Sequence, residues 1–389
     1  LSSWSDKAGK ATRQTAGVRR LVVKVGTSTI THATGKLDLG QMERIVREIA
    51  DVANSGKDVL LVTSGAIGAG MSRLGLDKRP ATLPGKQAMA AVGQGLLMQI
   101  YEKLFSEYGQ IVAQVLLTRE DLNDRRRFLN SRNTLLTLLD YGVVPIINEN
   151  DTVAVEEIRV GDNDTLSALV SGLVGADLLI ILSDVDGVFT ADPRIDPEAR
   201  VLSEIREITP ELWAAAGGAG SSRGVGGMVT KLEAARIATA SGAAMVIANG
   251  REPGVIGRIL AGEPLGTLFH PQDHTLQGRK RWIAFYQRPR GRVIIDGGAA
   301  RALVHQGKSL LPVGVVDVEG EFAPGDVVRV VMDEGVEVAR GLVNYSSSEL
   351  LKIKGLSTQK VEELLGYRDY DEVIHRDNLA LCEGGRPDD

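Results

Sequence analysis

The chain has 389 residues, 43% hydrophobic and 24% charged, with a formal net charge of -5. That length suggests two or three domains with a sizeable core, and the acidic balance excludes a global basic field for nucleic acid. One cysteine, Cys382, and 5 histidines without His-x-x-His or His-Glu-x-x-His spacing exclude an intrachain disulfide framework and argue against a zinc site.

Residues 1–18 are polar, lack an apolar run for a signal peptide, and read as a disordered tail. No stretch approaches the roughly 18 apolar residues of a membrane span, so a cytoplasmic protein is expected. A buried strand is predicted over 20–26, interrupted by Lys24 and closed by Gly26-Thr27-Ser28. The apolar run implies burial on both faces, as in a parallel sheet. A lysine there either snorkels out at the strand end or aims its cation at phosphate; the Gly-Thr-Ser that follows favours phosphate. A helix is predicted over 39–53 from the spacing of Met42, Ile45, Val46, Ile49 and Val52. The strand at 59–63 runs into Ser64-Gly65-Ala66-Ile67-Gly68-Ala69-Gly70. This is a strand, a glycine-rich turn and a helix, where backbone N–H groups can approach an anion closely. Its Gly-x-x-Gly-x-Gly order is not the dinucleotide fingerprint, and a tight turn with close helix packing explains it equally well.

A long helix rich in Ala, Leu and Met is predicted over 86–108, a third strand over 111–117, a charged surface connector over 118–127 and a helix over 128–139. The fourth strand, 143–147, delivers Asn148-Glu149-Asn150-Asp151. A β-patterned excursion over 153–160 returns at Gly161-Asp162-Asn163-Asp164, and a helix follows from Thr165. One such cluster is a turn full of turn-formers. Two of them, bracketing a single excursion at the carboxyl end of a strand, mark a ligand edge. Their amides and carboxylates suit the ammonium and carboxylate of a small amphoteric molecule.

The fifth strand, 178–182, ends in Ser183-Asp184-Val185-Asp186-Gly187. A glycine-rich segment over 217–227 leads to Met228-Val229-Thr230-Lys231 and a helix over 232–241. A lysine there, behind a flexible glycine loop, has the form of a phosphate clamp, a reading favoured over a linker with a surface lysine. A sixth strand at 244–248 and the segment 266–269 close the domain. Strands alternating with helices predict an α/β fold, an open, mostly parallel sheet with helices on both faces.

Five motifs, Lys24-Val25-Gly26-Thr27-Ser28, Thr63-Ser64-Gly65-Ala66-Ile67, Asn148-Glu149-Asn150-Asp151, Gly161-Asp162-Asn163-Asp164 and Gly226-Gly227-Met228-Val229-Thr230-Lys231, occur together in this order. In this the chain resembles the amino acid kinase family, and within it the branch that phosphorylates the side-chain carboxylate of L-glutamate. The resemblance covers nearly all of 19–373. It departs at Ser183, where the family often has Thr, and at Val225, where a Thr often precedes the paired glycines. Neither change removes a charge.

The resemblance implies an amino acid kinase fold over 19–270, a linker over 271–278 and a β-rich PUA-like domain over 279–373, with a tail over 374–389. In that second domain the residues themselves predict short strands at 292–295, 315–318, 327–331 and 336–343, helices at 299–306 and 349–354, and a basic, aromatic start at 279–285. PUA domains are often found in RNA-modifying enzymes, yet the acids and bases of this one nearly cancel, a poor electrostatic footprint for RNA.

The expected activity is transfer of the γ-phosphoryl group of ATP to L-glutamate, the first step of proline biosynthesis, with feedback inhibition by proline. ATP is a co-substrate, and Mg2+ is carried mainly by its phosphates rather than by a protein site. Lys24, Asp164 and Lys231 are expected to be catalytic. By resemblance, glutamate lies on Ser64, Asp151 and Asn163. Nucleotide lies on Lys24, Gly26, Thr27, Gly65, Ser183, Asp184, Val225, Gly226, Gly227, Met228, Val229, Thr230 and Lys231. A homodimer or homotetramer is expected, with functional coupling to the next pathway enzyme, glutamate-5-semialdehyde dehydrogenase. Two alternatives stand beside this reading: another small carboxylate or carbamate acceptor, or an RNA-binding protein acting through the second domain.

Overall fold

The computed structural model describes residues 17–154, 162–193, 196, 198–216, 227–272, 280, 282–366 and 370–382. The chain divides into two compact units, 1–275 and 276–389.

Unit 1 is built on one eight-stranded sheet. Its strands are β1 (Arg20–Val25), β2 (Asp58–Val62), β3 (Val112–Leu117), β4 (Val144–Glu149), β5 (Leu178–Ser183), β6 (Glu204–Ile205), β7 (Ala244–Asn249) and β8 (Thr267–Phe269). They lie in the order β3-β4-β2-β1-β5-β7-β8-β6. The first six in that order run parallel; β8 is antiparallel to β7, and β6 is parallel to β8. The helices are α1 (Thr27–Ile30), α2 (Leu39–Asn54), α3 (Ala66–Leu74), α4 (Leu83–Ser106), α5 (Arg119–Asn123), α6 (Arg125–Asp140), α7 (Asn163–Val174), α8 (Pro210–Ala216), α9 (Met228–Ala240) and α10 (Val255–Leu260).

The strands form where apolar runs demand burial on both faces. Leu21, Val22, Val23 and Val25 of β1 are wholly buried, as are all five apolar residues of β5. Successive side chains point to opposite faces. Leu21, Val23, Val25, Leu178, Ile180 and Leu182 join the apolar stripes of α2, α4 and α10 in one core. On the other face α7 crosses β1, β2, β4 and β5 and packs against α9. Each wholly buried Val or Leu contributes about 1.5–3 kcal/mol, so the central strands anchor the unit. The helix ends are fixed locally: Asp38 caps α2 through the Gln41 N–H, and Asp162 caps α7 through the Thr165 N–H.

All six predicted strands form. The additions, β6 and β8, are too short to carry a readable period. The charged segment 118–127, expected as a surface connector, instead folds into α5 and the start of α6. Thr118 and Asp121 form a capping box, and Asp124 caps the second helix. Helices α3 and α4 cross on glycines. A Cβ at Gly93 would lie 1.7 Å from the Ala66 carbonyl oxygen, and one at Gly70 2.0 Å from that of Met89.

Unit 2 carries a five-stranded sheet of β9 (Gly291–Ile295), β10 (Val315–Gly320), β11 (Val327–Met332), β12 (Glu337–Leu342) and β13 (Leu379–Leu381), in the order β10-β9-β11-β12-β13. β9 and β11 are parallel and the other pairs antiparallel. Among the described residues the unit also carries the α-helices α11 (Gly297–Gln306), α12 (Ser347–Ile353) and α13 (Thr358–Leu365). The fold runs past residue 373, where the sequence pattern ends it. Ile374 is wholly buried and pairs with Leu310, and β13 pairs with β12. Trp282, Phe285 and Tyr286 of the basic, aromatic segment are buried in a π-helical turn against β12 and β13, so these rings are core and not a platform for stacking bases. Of the tail expected over 1–18, residues 1–16 lie outside the described residues, while Val18 is buried. Of the expected linker, only 271 and 272 are described.

Candidate active site

Six parallel strands bring their carboxyl ends to one edge, the place where open α/β sheets bind ligands. β1 delivers Lys24 and Gly26 there, β2 Thr63 and Ser64, β4 Asn148 and Glu149, and β5 Ser183. Helices start from the same edge. α3 follows Gly65, whose φ of 99 is the left-handed conformation that glycine adopts without strain. α7 follows Asp162 and α9 follows Gly227. Unpaired N–H groups and the positive end of the helix dipole therefore converge on the space above the sheet.

The centre of the edge is a buried ion triad. Val23 and Val25 face the α2 side, so alternation turns Lys24 toward α7 and α9. There it meets Asp164, the second residue of α7, in a close ion pair with Oδ1. Lys231, in the first turns of α9, lies 3.2 Å from Oδ2 of the same carboxylate. The Thr230 hydroxyl donates to that oxygen at 3.2 Å. All three charged groups are buried: Lys24 is 7% exposed, Asp164 1% and Lys231 6%. Burial pushes the Asp164 carboxyl up, but the two ammonium groups outweigh it and hold the carboxyl below its ordinary value. Two cations on one anion leave the triad with an excess positive charge, a costly arrangement to bury for structure alone. It suits a bound polyanion.

Beside the triad sits a cluster of amides. Asn163, the first residue of α7, shares the two N–H donors of Nδ2 among three acceptors, the Thr63 carbonyl at 2.7 Å, the Ser64 hydroxyl at 2.8 Å and Asn148 Oδ1 at 2.9 Å. Its own Oδ1 is buried without a hydrogen-bond partner among the described residues. Asp151 follows directly on β4, its N–H held by the Glu149 carbonyl at 2.9 Å. The structure thus brings Ser64 and Asn163 into contact and places Asp151 in the loop at the same edge.

On the far side of β1, the Ser183 hydroxyl donates to Asp184 Oδ1 at 3.1 Å, and its carbonyl accepts from the Gly250 N–H at 2.8 Å. Thr27 is exposed at the start of α1, and Thr29, two residues on, ties that helix to the Leu182 carbonyl at 3.2 Å. Met228, Val229 and Thr230 form the first turn of α9, with Val229 43% exposed. Gly161, Val225 and Gly226, most of the 153–160 excursion and the glycine-rich segment before Gly227 lie outside the described residues. Among the described residues, no three His, Cys, Asp or Glu side chains gather as a metal site needs, and no helix is long and apolar enough to cross a membrane.

Sequence reasoning passed over α4. Three of its polar side chains reach the site loops. Gln87 Nε2 donates to the Ala154 carbonyl at 3.3 Å, Gln94 Oε1 accepts from Asn148 Nδ2 at 2.9 Å, and the Tyr101 hydroxyl lies 2.8 Å from that of Thr63. Burial pushes the Tyr101 hydroxyl up to about 12, so it keeps its proton at neutral pH. The signal was present: Gln87, Gln94 and Tyr101 recur at every seventh position of the helix and so share one face.

Comparison with known proteins places these observations. The amino acid kinase family model matches residues 19–249, and the PUA domain model matches residues 291–365. The chain is 60% identical over 363 residues to the glutamate 5-kinase of Moorella thermoacetica, covering 93% of this chain and 96% of that one. It is 59% identical over 366 residues to the glutamate 5-kinase of Caldanaerobacter subterraneus subsp. tengcongensis, covering 94% and 98%. The solved structure of T. acidophilum isopentenyl phosphate kinase overlaps it with a TM-score of 0.46 and 19% identity, over 64% of this chain and 100% of that one.

Proposed function

The chain belongs to the amino acid kinase family, in the glutamate 5-kinase branch that carries a C-terminal PUA domain, and from that premise we propose that it transfers the γ-phosphoryl group of ATP to the side-chain carboxylate of L-glutamate. The observation that carries the reading is the buried Lys24–Asp164–Lys231 triad beside the Asn163 amide cluster on one sheet edge. A carboxylate is a competent nucleophile at neutral pH, so no general base is required. One of its oxygens attacks Pγ, the bond from Pγ to the bridging oxygen of ADP breaks, and L-glutamyl 5-phosphate forms. The barrier lies in bringing two anions together and in the charge on the transferring group, so positioning and electrostatics supply the catalysis.

In this scheme Lys24 and Lys231 touch phosphoryl oxygens from two sides, and Asp164 orients both. Backbone N–H groups at Gly26, Thr27 and Gly65 cradle phosphate. Glutamate is held by Ser64, Asp151 and Asn163. Nucleotide contacts come from Ser183, Asp184 and 225–231. Mg2+ would be held by the ATP phosphates rather than by a protein site, and would supply neutralisation of their charge. Unit 1 carries the chemistry, and the PUA-like unit 2 biases assembly or regulation. The product is the first intermediate toward proline, in the cytoplasm. Proline shares the α-carboxylate and a cationic nitrogen with glutamate but has no side carboxylate, so it occupies the amide cluster and inhibits. We also propose a homo-oligomer that hands its labile acyl phosphate to glutamate-5-semialdehyde dehydrogenase.

ADP release measured against a panel of glutamate, N-acetylglutamate, aspartate and carbamate, with and without proline, tests the reading. Glutamate alone is expected to support turnover, with proline raising its apparent KM. Faster turnover on another acceptor reassigns the substrate within the same fold.

A further inference from the structure

Two backbone groups of fixed polarity orient a chain of three side-chain amides. The Glu149 N–H can only donate, and it donates to Asn148 Oδ1 at 2.9 Å. The Thr63 carbonyl can only accept, and it accepts from Asn163 Nδ2 at 2.7 Å. With both held, Asn163 Nδ2 meets Asn148 Oδ1, and Asn148 Nδ2 is turned to Gln94 Oε1, each at 2.9 Å. Flipping any of the three amides sets donor against donor or acceptor against acceptor. The outermost atoms are then determined: Asn163 presents a carbonyl oxygen and Gln94 an amino group. Both are buried and make no hydrogen bond among the described residues.

A buried amide left half-satisfied is uncommon and destabilising. Asn163 meets Ser64 through Nδ2 at the ligand edge, and an acceptor on the same amide is complementary to the ammonium of an amino acid. Gln94 is two amides away, 8% exposed, on the same helix as the wholly buried apolar Leu97 and Phe105. Packing alone calls for Leu or Met at such a position. What Gln94 adds is an acceptor for Asn148 Nδ2.

We infer that Gln94 is a positioning residue for the amino-acid acceptor: through Asn148 it holds Asn163 with its carbonyl oxygen turned to the substrate ammonium. This rests on the reading of the acceptor as an amino acid. Without the Gln94 carbonyl, Asn148 Nδ2 is buried with no acceptor. Rotation that satisfies it withdraws Oδ1 from Asn163, which then loses its fixed orientation. Gln87 and Tyr101, on the same face of α4, hold the neighbouring loop and strand end. The relay therefore stands on a supported frame.

The test is steady-state kinetics on the full-length protein with Gln94→Met and Gln94→Glu. Met matches the length of Gln and removes both polar atoms. Losing one buried amide hydrogen bond corresponds to about a tenfold rise in the KM for glutamate, with the KM for ATP and kcat within about twofold. Glu keeps an acceptor for Asn148 Nδ2 and removes the Nε2 donor, so the glutamate KM is expected to stay within about threefold of wild type. An unchanged glutamate KM in Gln94→Met, or equal rises for glutamate and ATP, overturns the inference. A Glu variant as impaired as the Met variant also overturns it, because the donor would then matter and not the acceptor. If Gln94→Met does not melt cooperatively, the Glu variant decides alone by the same criterion. Wild-type protein that releases no ADP with glutamate removes the acceptor reading and this inference together; wild-type activity with an indifferent Gln94→Met removes only the inference.

Discussion

Asp164→Asn isolates the anion that holds two buried cations in place. Asn keeps the volume and one acceptor oxygen but removes the charge. In the native site the carboxylate is 1% exposed, 3.2 Å from Lys231 Nζ and closer still to Lys24. Breaking a buried ion pair by removing one partner costs about 3–5 kcal/mol. For a unit of this size each kcal/mol shifts Tm by roughly 2–4 °C, so a fall on the order of 10 °C is expected. Without the carboxylate the two lysines lose the group that orients them, so turnover falls by roughly 10²-fold. Thermal unfolding with and without ATP, beside ADP release, reads both effects. ATP phosphates supply the missing anion, so ATP should raise the Tm of the variant by more than that of the wild type. The pH dependence has a definite sign. Because the folded carboxyl is held below its ordinary value of 3.8, its contribution is whole above that pH and is lost as pH falls through the folded value. The stability gap between wild type and variant is thus constant at neutral pH and closes in acid. An Asn variant with native Tm and native turnover refutes the argument.

Lys24→Ala and Lys231→Ala are each expected to lower kcat by roughly 10²–10³-fold, with circular dichroism unchanged; near-native activity in either removes that lysine from the chemistry. Asn163→Ala and Asp151→Ala should raise the KM for glutamate and spare that for ATP, and the reverse pattern in initial-rate kinetics exchanges the two loops. A fragment of residues 1–275 should melt cooperatively and retain glutamate-dependent ADP formation. A folded but inactive fragment would assign part of the active site to unit 2.

The central strands and the triad were legible because each has a strong local signature. A lysine inside an apolar run at Lys24, and Asp164 behind a polar cluster, stand out against their neighbours without knowledge of the fold. The length of the second unit was not legible. β13 has three residues, and Ile374 is buried where the distant segments at Leu310 and Gly341 meet it. The aromatic run at 282–286 has the composition of a nucleic-acid surface, and only its packing on β12 turns it into core. Gln94 was missed for a related reason. Its period was visible, but its meaning depended on Asn148, 54 residues away, facing it across the sheet edge.

The glycine crossing of α3 and α4 sorts the interior glycines of these helices into two kinds. A side chain at Gly93 would drive into the Ala66 carbonyl, the first residue after the Gly65 turn, and one at Gly70 into that of Met89. Either would push the helices apart and move the anion-facing turn with them. Gly68 and Gly95, each only two positions along, face open space. They carry the helix penalty of glycine, about 1 kcal/mol relative to Ala, without a close packing contact to require it. Gly68→Ala and Gly95→Ala should each raise Tm by a few degrees with turnover intact, while Gly93→Ala should lower both, as differential scanning fluorimetry beside the ADP assay will read. One pair of helices thus offers a route to a more heat-resistant enzyme at residues that alternate with those it cannot change.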